Sequence, residues 1–301
     1  MNTPPLVTVI AVCYNHEKWI VQALDSIKNQ THKNIQLIVA DDGSRDNSKQ
    51  VIANWIQNEY PEAIFINHKA NVGLTKNLNS ALPYIKGDYW QAFGCDDIML
   101  PGKLALQVTA LESNKKAGVV FSDMYFIDRE NNRLPGSYFE KHTYKQPRSG
   151  WIYEDLIDRF IISAPAVLIK TEVLDKVHKY DEKLDYEDHD FFLKAAKYFE
   201  YIYMEDKLVE YRISGQSLTA TNTDVKFYKN SFLIYYQNFD SRKEYKPMFT
   251  KKLLFYVKNL YNEKYKYTYN FCMKAFAKTG NTTFIKYGLA GLRFYFTSKK
   301  A

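Results

Sequence analysis

Three of the acidic pairs in this 301-residue chain stand where carboxylates can do chemistry. Asp96-Asp97, in GDYWQAFGCDDIMLP, closes a run of strand-forming residues that includes Tyr89, Trp90, Ala92 and Phe93. Carboxylates at the end of a buried strand are costly to desolvate unless something cationic compensates them. At the carboxyl edge of an α/β sheet the natural compensator is a divalent cation carrying a phosphorylated substrate. The plain alternative is a solvated Asp-Asp turn. Asp41-Asp42-Gly43-Ser44 is a second acidic turn after an earlier strand, and its presence favours the ligand-binding reading; here too a simple Asx-type turn with Gly43 is the alternative. Glu187-Asp188, in DYEDHDFFLKAA, is the third pair. It suits a general base, or acids that cap and charge-stabilise a helix N-terminus.

The elements needed to hold these acids follow from the hydrophobic pattern. Leu6–Cys13 (LVTVIAVC) and Ile35–Ala40 (IQLIVA) are apolar, β-branched runs of the kind buried on both faces of a parallel sheet. Ala63–Asn67, Tyr89–Cys95 and Gly118–Ser122 read as further strands. Glu17–Asn29, with Ile20, Leu24 and Ile27 on one stripe, reads as a helix. So do the stretch from Asp46 or Asn47 to Asn58, then Asn71–Tyr84 and Pro101–Ser113. Repeated βα units predict a largely parallel sheet covered by helices, with right-handed crossovers. Beyond Ser122 the rhythm changes. Met124–Ile127 reads as a strand ending in a turn, residues 133–150 as a loop or lid, and Trp151–Phe160 as a helix. A strand over Ala166–Lys170, a short helix over Thr171–Val177 and a helix over Asp188–Phe199 follow.

Composition bounds the class. Hydrophobic residues at 46% and charged residues at 25% are those of a folded soluble protein. No apolar run nears the ~18 residues needed to cross a bilayer. The opening MNTPPLVTVIAV has no basic segment and turns strand-like at once, which predicts no signal peptide. Three dispersed cysteines suggest neither a disulfide framework nor a CxxC metal site, and fit a reducing cytosol. The formal charge of +7 hides an asymmetry: residues 225–301 carry 16 Lys and Arg against 3 Asp and Glu, with 21 Phe and Tyr. Nucleic acid is not expected as a partner, because no binding motif accompanies the charge. Lys251-Lys252-Leu253-Leu254-Phe255-Tyr256 and the closing RFYFTSKK suit contact with an anionic membrane surface. Ordinary helical packing with solvated lysines is the alternative.

Six segments stand in the order that marks a known family: VTVIAVCYNHEKWIVQALDSIKNQT, NIQLIVADDGSRDNS, NVGLTKNLNSAL, GDYWQAFGCDDIMLPGKL, YEDHDFFLKAA and EYRISGQSLT. From Leu6 to Ser217 the chain resembles the family-2 glycosyltransferases. The resemblance implies the GT-A fold, a Rossmann-like, mostly parallel sheet flanked by helices. It implies residues 1–224 as the catalytic domain, with a nucleotide-sugar half (1–122) and an acceptor half (123–224), and residues 225–301 as a helical extension. By resemblance, Val12, Tyr14 and Asn15 wall a base slot, where an aromatic face stacks on a nucleobase. Asp42 accepts the uracil N3 proton while Asp41 braces the turn, and Lys76 offers a point charge to phosphate. Asp97 binds Mn²⁺ or Mg²⁺ directly, and Asp96 contacts ribose or the metal. Asp188, beside Glu187, is the general base toward an acceptor hydroxyl, and Arg212 pairs with diphosphate or with an acid of the core.

The implied reaction is metal-dependent, inverting transfer from a UDP-sugar to a saccharide or lipid-linked acceptor. The implied setting is bacterial surface-polysaccharide or glycolipid assembly in the cytoplasm or at the inner face of the plasma membrane. Two departures bear on it. Gly94 stands where many relatives begin an Asp-x-Asp-Asp motif, and Ser214 stands where many have a histidine that helps to hold metal or diphosphate. They motivate a rival reading, a non-catalytic member that binds nucleotide-sugar or membrane. A sugar nucleotidyltransferase is a weaker rival, since YNHEKW has no glycine to hold a triphosphate. His16, His32, His68, His142 and His178 show no ligand spacing and read as surface or packing residues.

Overall fold

The structure, a computed structural model, describes residues 3–142, 146–184, 187–214 and 224–297. Ser217 and the first residues of the DYEDH segment lie outside the described residues. Nine strands are found among those described: β1 Val7–Cys13, β2 Ile35–Asp41, β3 Ile64–Asn67, β4 Tyr89–Gly94, β5 Ile98–Met99, β6 Ala117–Ile127, β7 Arg133–Ser137, β8 Val167–Lys170 and β9 Glu200–Arg212. They form one sheet in the order β3-β2-β1-β4-β8-β6-β9-β5, with β7 paired to β6. β1 lies parallel to both β2 and β4, so the chain's first and second acidic turns leave the same sheet edge. β8 runs antiparallel to β4 and β6, whereas β6 and β9 are parallel.

Helices α1 Ile20–Lys28, α2 Ser48–Glu59, α3 Leu74–Ala81 and α4 Lys103–Ser113 connect the first strands. α1 forms because Ile20, Ala23, Leu24 and Ile27 recur at helical spacing, and all four are buried. Ile20, Leu24 and Ile27 pack on a core shared with Val7, Val9 and Ala11 of β1 and Leu37 and Val39 of β2. Burying an aliphatic side chain contributes roughly 1.5–3 kcal/mol, and the buried polar residues of these strands, Thr8 and Asp41, are hydrogen-bonded.

The second half departs from expectation in three places. Residues 133–150 are not simply a loop: β7 pairs antiparallel with β6 and leads into α5 Tyr138–His142. The turn before β7 closes because Asp128 accepts hydrogen bonds from the main chain of Glu130 and Asn132. β6 runs unbroken for 11 residues where two strands were expected. β9, a 13-residue strand rich in charged and tyrosine residues, has no apolar alternation to announce it. Its pairing with β6 is interrupted by register shifts around Asp123, which break the two-residue period.

The chain divides into two compact units. One comprises Met1–Ile152, Ile161–Glu182 and Lys194–Gly215 and contains the whole sheet. The other comprises Tyr153–Phe160, Lys183–Leu193 and Gln216–Ala301. This grouping cuts across the expected boundary at residue 224. The second unit contains α6 Tyr153–Asp158, and α7 Leu174–Val177 belongs to the first. α8 Glu187–Ala195 contributes its first seven residues to the second unit. α9 Asp224–Gln237, α10 Lys246–Asn262, α11 Thr268–Thr279 and α12 Thr283–Thr297 complete that unit. Direct bonds explain why the earlier segments join these helices. The Tyr235 hydroxyl donates to the Ile157 carbonyl at 2.9 Å, Asn238 Nδ2 donates to Asp190 at 2.6 Å, and Lys252 Nζ donates to the Asp158 carbonyl.

Much of the basic, aromatic C-terminal sequence is core. Phe249, Leu253, Val257 and Leu260 are fully buried, Tyr256 and Phe294 nearly so. Lys278 lies over Tyr236 and Arg293 over Tyr261. Phe227, Phe255 and Leu289 remain exposed. No helix among the described residues is long and apolar enough to cross a membrane.

Candidate functional site

The site is built where β1, β2 and β4 end side by side. After β1 the chain turns through Tyr14, Asn15, His16 and Glu17, with Asn15 at a left-handed φ of 58°. After β2 it turns through Asp42–Asn47. Hydrogen bonds zip these two loops together. Asn15 N donates to Ser44 Oγ at 2.9 Å, and Asn15 Oδ1 accepts from Arg45 N at 2.8 Å. His16 N donates to Ser48 Oγ at 2.9 Å, and Glu17 N to Asp46 at 3.1 Å. The residues Asp, Ser and Asn favoured in turns thus serve here as latches between loops.

The second acidic pair divides its work. Asp41 is fully buried and accepts from both the main-chain N–H and the hydroxyl of Ser44, so it braces the turn. Asp42 accepts from the main chain of Val72 at 2.7 Å and of Gly73 at 3.1 Å, joining this turn to the segment after β3. Burial raises the Asp42 carboxyl above its ordinary value, against those two hydrogen bonds. Gly43 is required where it stands: its φ is +70°, and a Cβ would come within 2.3 Å of the Ala70 carbonyl carbon. Asn77 Nδ2 donates to the Ala40 carbonyl and fixes α3 against β2, while Lys76 stands exposed on α3. Val12 is held in register, its carbonyl accepting from Cys95 N at 2.9 Å. Tyr14 is half-exposed beside it.

At the tip of β4 the carboxylates of Asp96 and Asp97 fold back over Gly94. A Cβ placed on Gly94 would lie 2.8 Å from Asp96 Oδ1 and 3.2 Å from Asp97 Oδ2, so both oxygens converge on one point. Asp97 is 3% exposed and accepts from Arg212 N at 2.9 Å. Its carboxyl is pushed well above the usual range, first by burial and then by the neighbouring Asp96 charge. This is the electrostatic state of a carboxylate short of compensation, which a divalent cation would supply. No group of three His, Cys, Asp or Glu side chains among the described residues is arranged to hold a metal. Asp96 and Asp97 are thus the two carboxylates that would hold such a cation here.

Arg212 is placed in keeping with the second of its two expected roles, contact with the acidic core, and His16 stands nearer to the acids than expected. Arg212, a candidate diphosphate contact, is 1% exposed and largely committed to the protein. Its Nε donates to the Asp96 carbonyl at 2.7 Å, one terminal nitrogen to the Asp128 carbonyl at 2.8 Å, and the other to Gln22 Oε1 at 3.3 Å. It lies beneath the acidic turn as a brace. His16, read from sequence as surface or packing, has Nε2 3.8 Å from Asp96 Oδ2. The signal that could have found it is its position just past β1, the strand that neighbours β4.

In the helical unit, Glu187 and Asp188 open α8. Glu187 is 6% exposed, and Asp188 Oδ1 accepts from His189 N at 2.7 Å. Burial pushes the Asp188 carboxyl up to about 6. His189 stacks on Phe160 at 4.5 Å, and burial lowers it to about 4, so it is neutral near pH 7.

Comparison with known proteins identifies the family and the fold. Residues 8–177 match glycosyl transferase family 2. An uncharacterized glycosyltransferase of Methanocaldococcus jannaschii is 32% identical over 215 residues, which is 70% of this chain and 72% of that one. One from Rickettsia typhi is 27% identical over 225 residues, 72% of this chain and 67% of its own. Among solved structures, S. aureus TarS 1-349 in complex with UDP-GlcNAc has a TM-score of 0.62 at 18% identity, covering 97% of this chain and 92% of that chain. The longer TarS chain is spanned over 54% of its length. Mannosyltransferase PcManGT from Pyrobaculum calidifontis, in complex with GDP-Man and Mn²⁺, has a TM-score of 0.61 at 17% identity, covering 96% and 80%. These likenesses establish the fold as GT-A.

Proposed function

From the premise that this chain belongs to glycosyl transferase family 2, and is therefore a glycosyltransferase, we propose that it transfers a sugar from a UDP-sugar, with inversion, to a hydroxyl of a saccharide or lipid-linked acceptor. The observation that carries the reading is the convergence of the Asp96 and Asp97 carboxylates over Gly94, beside the loop that bears Tyr14. Tyr14 offers a face for the base, and Asp42 a carboxylate for the uracil N–H. Asp96 and Asp97 are the residues that would hold Mn²⁺ or Mg²⁺; when bound, such an ion neutralises charge growing on the departing diphosphate.

Asp188 accepts the proton of the acceptor hydroxyl. That oxygen bonds to the anomeric carbon on the face opposite the nucleotide, and the bond from that carbon to the diphosphate breaks. UDP leaves, and a single displacement inverts the centre without an enzyme nucleophile. Orientation of acceptor and donor supplies the remaining advantage.

Assembly of a surface polysaccharide or glycolipid is the setting that suits a lipid-linked acceptor. Exposed Lys251 and Phe255 of α10 suit peripheral contact with anionic lipid, at about 1 kcal/mol per basic side chain. The test is nucleoside diphosphate release from a panel of UDP- and GDP-sugars with Mn²⁺ and short saccharide acceptors. UDP release with one sugar is expected. Release of GDP alone would contradict the uridine assignment, and no release from any donor would contradict the transferase reading of this site.

A further inference from the structure

We propose that His16 is a diphosphate-binding residue whose Nε2–H donates a hydrogen bond to a phosphoryl oxygen of the bound donor. The proposal rests on the reading of a nucleoside diphosphate substrate given above and adds a contact to it from the loop after β1.

The position of the ring is fixed. His16 N donates to Ser48 Oγ at 2.9 Å, and its carbonyl accepts from the main chain of Trp19 and of Ile20, each at 2.9 Å. The imidazole meets the Trp19 ring edge-on at 6.2 Å. The nitrogens, by contrast, have no hydrogen bond among the described residues. Nδ1 is buried without a partner. Nε2 faces the acidic turn, but at 3.8 Å Asp96 Oδ2 lies beyond hydrogen-bond range.

The tautomer decides what this vacancy suits. A neutral imidazole carries one N–H. Nδ1 lacks a partner in either tautomer, so the choice falls to the Asp96 carboxylate 3.8 Å from Nε2, which favours the proton on that nitrogen and points the donor toward the tip of β4. The same argument disfavours His16 as a metal ligand. Coordination through Nε2 needs that nitrogen bare, which forces the proton onto Nδ1, and ligating histidines normally donate that second N–H to a partner. None is present, and the described residues hold no three-donor metal group. Nε2–H is thus a positioned donor awaiting an oxygen. The oxygens that a cation on Asp96 and Asp97 would bring within its reach are those of the diphosphate.

Isothermal titration of UDP, and separately of uridine, in the presence of Mn²⁺ tests the proposal on the full chain. His16→Phe keeps a ring against Trp19 and removes the donor. His16→Gln keeps a donor of similar reach and removes the ring. The expected result is that His16→Phe weakens UDP binding about tenfold and leaves uridine binding unchanged, while His16→Gln regains most of the UDP affinity. Equal losses for UDP and uridine would overturn the proposal in favour of a loop-packing role. Unchanged UDP affinity in both variants would overturn it while leaving the transferase reading intact. Failure of the unaltered protein to bind UDP with Mn²⁺ would overturn both.

Discussion

Asp188 illustrates how far a single carboxyl can be read. Its type and its place at a helix start were visible in the sequence, but a cap and a base look the same there. Burial separates them by pushing its carboxyl from an ordinary 3.8 to about 6. A base must be unprotonated to accept a proton, so transfer should rise as pH climbs through about 6 and level above it; a pH–rate profile checks this. The same shift has the opposite sign for stability. The folded state holds the proton more tightly than the unfolded chain, so the Asp188 contribution to stability falls as pH rises from 3.8 through 6. Asp188→Asn should therefore cost at least ~100-fold in rate without loss of melting temperature at pH 7.5. Gly94 is the second residue whose meaning needed coordinates. In Gly94→Ala the new methyl displaces the Asp96 side-chain end and presses on the Asp97 carboxylate, which Arg212 N holds in place. The fold should survive, and UDP affinity should lose its enhancement by Mn²⁺, as measured by titration with and without the ion. His16 was legible only through topology: it lies just past β1, and the group it faces sits in the turn after the neighbouring strand β4.

The strands that were readable are those with the simplest environment. β1, β2 and β4 are buried on both faces, so an unbroken apolar run identifies them. β9 was not readable, since its charged face and its register shifts against β6 leave no period to detect. Yet β9 supplies Arg212, whose main-chain N–H and guanidinium hold the acidic turn after β4. The loops after β1 and β2 form a second such assembly, with Ser44 at its centre. Its hydroxyl donates to Asp41 and accepts from Asn15 N. Ser44→Ala leaves both buried groups short of a partner, so it should destabilise the protein by about 1–2 kcal/mol in urea unfolding. It should also weaken binding of uridine, because the base slot shares that loop. A change confined to stability would show that the latch and the slot are independent.

The molecule is partitioned differently from the linear order of its motifs. A composition change near residue 224 suggested an appendage, yet segments 153–160 and 183–193, including Asp188, belong to the same compact unit as the C-terminal helices. Ion pairs and hydrogen bonds between residues far apart in sequence, such as Asn238 with Asp190, set that grouping and leave no local trace. A chain ending at 223 should therefore expose segments 153–160 and 183–193 to limited proteolysis; protection equal to that of the full chain would contradict the grouping. The central claim concerns the acids at the end of β4. The electron paramagnetic resonance signal of free Mn²⁺ measures it directly. Full-length protein with UDP should remove that signal, and Asp97→Asn should restore it. A signal left untouched by the unaltered protein with UDP, or quenched equally by Asp97→Asn, would contradict a cation held between Asp96, Asp97 and a diphosphate.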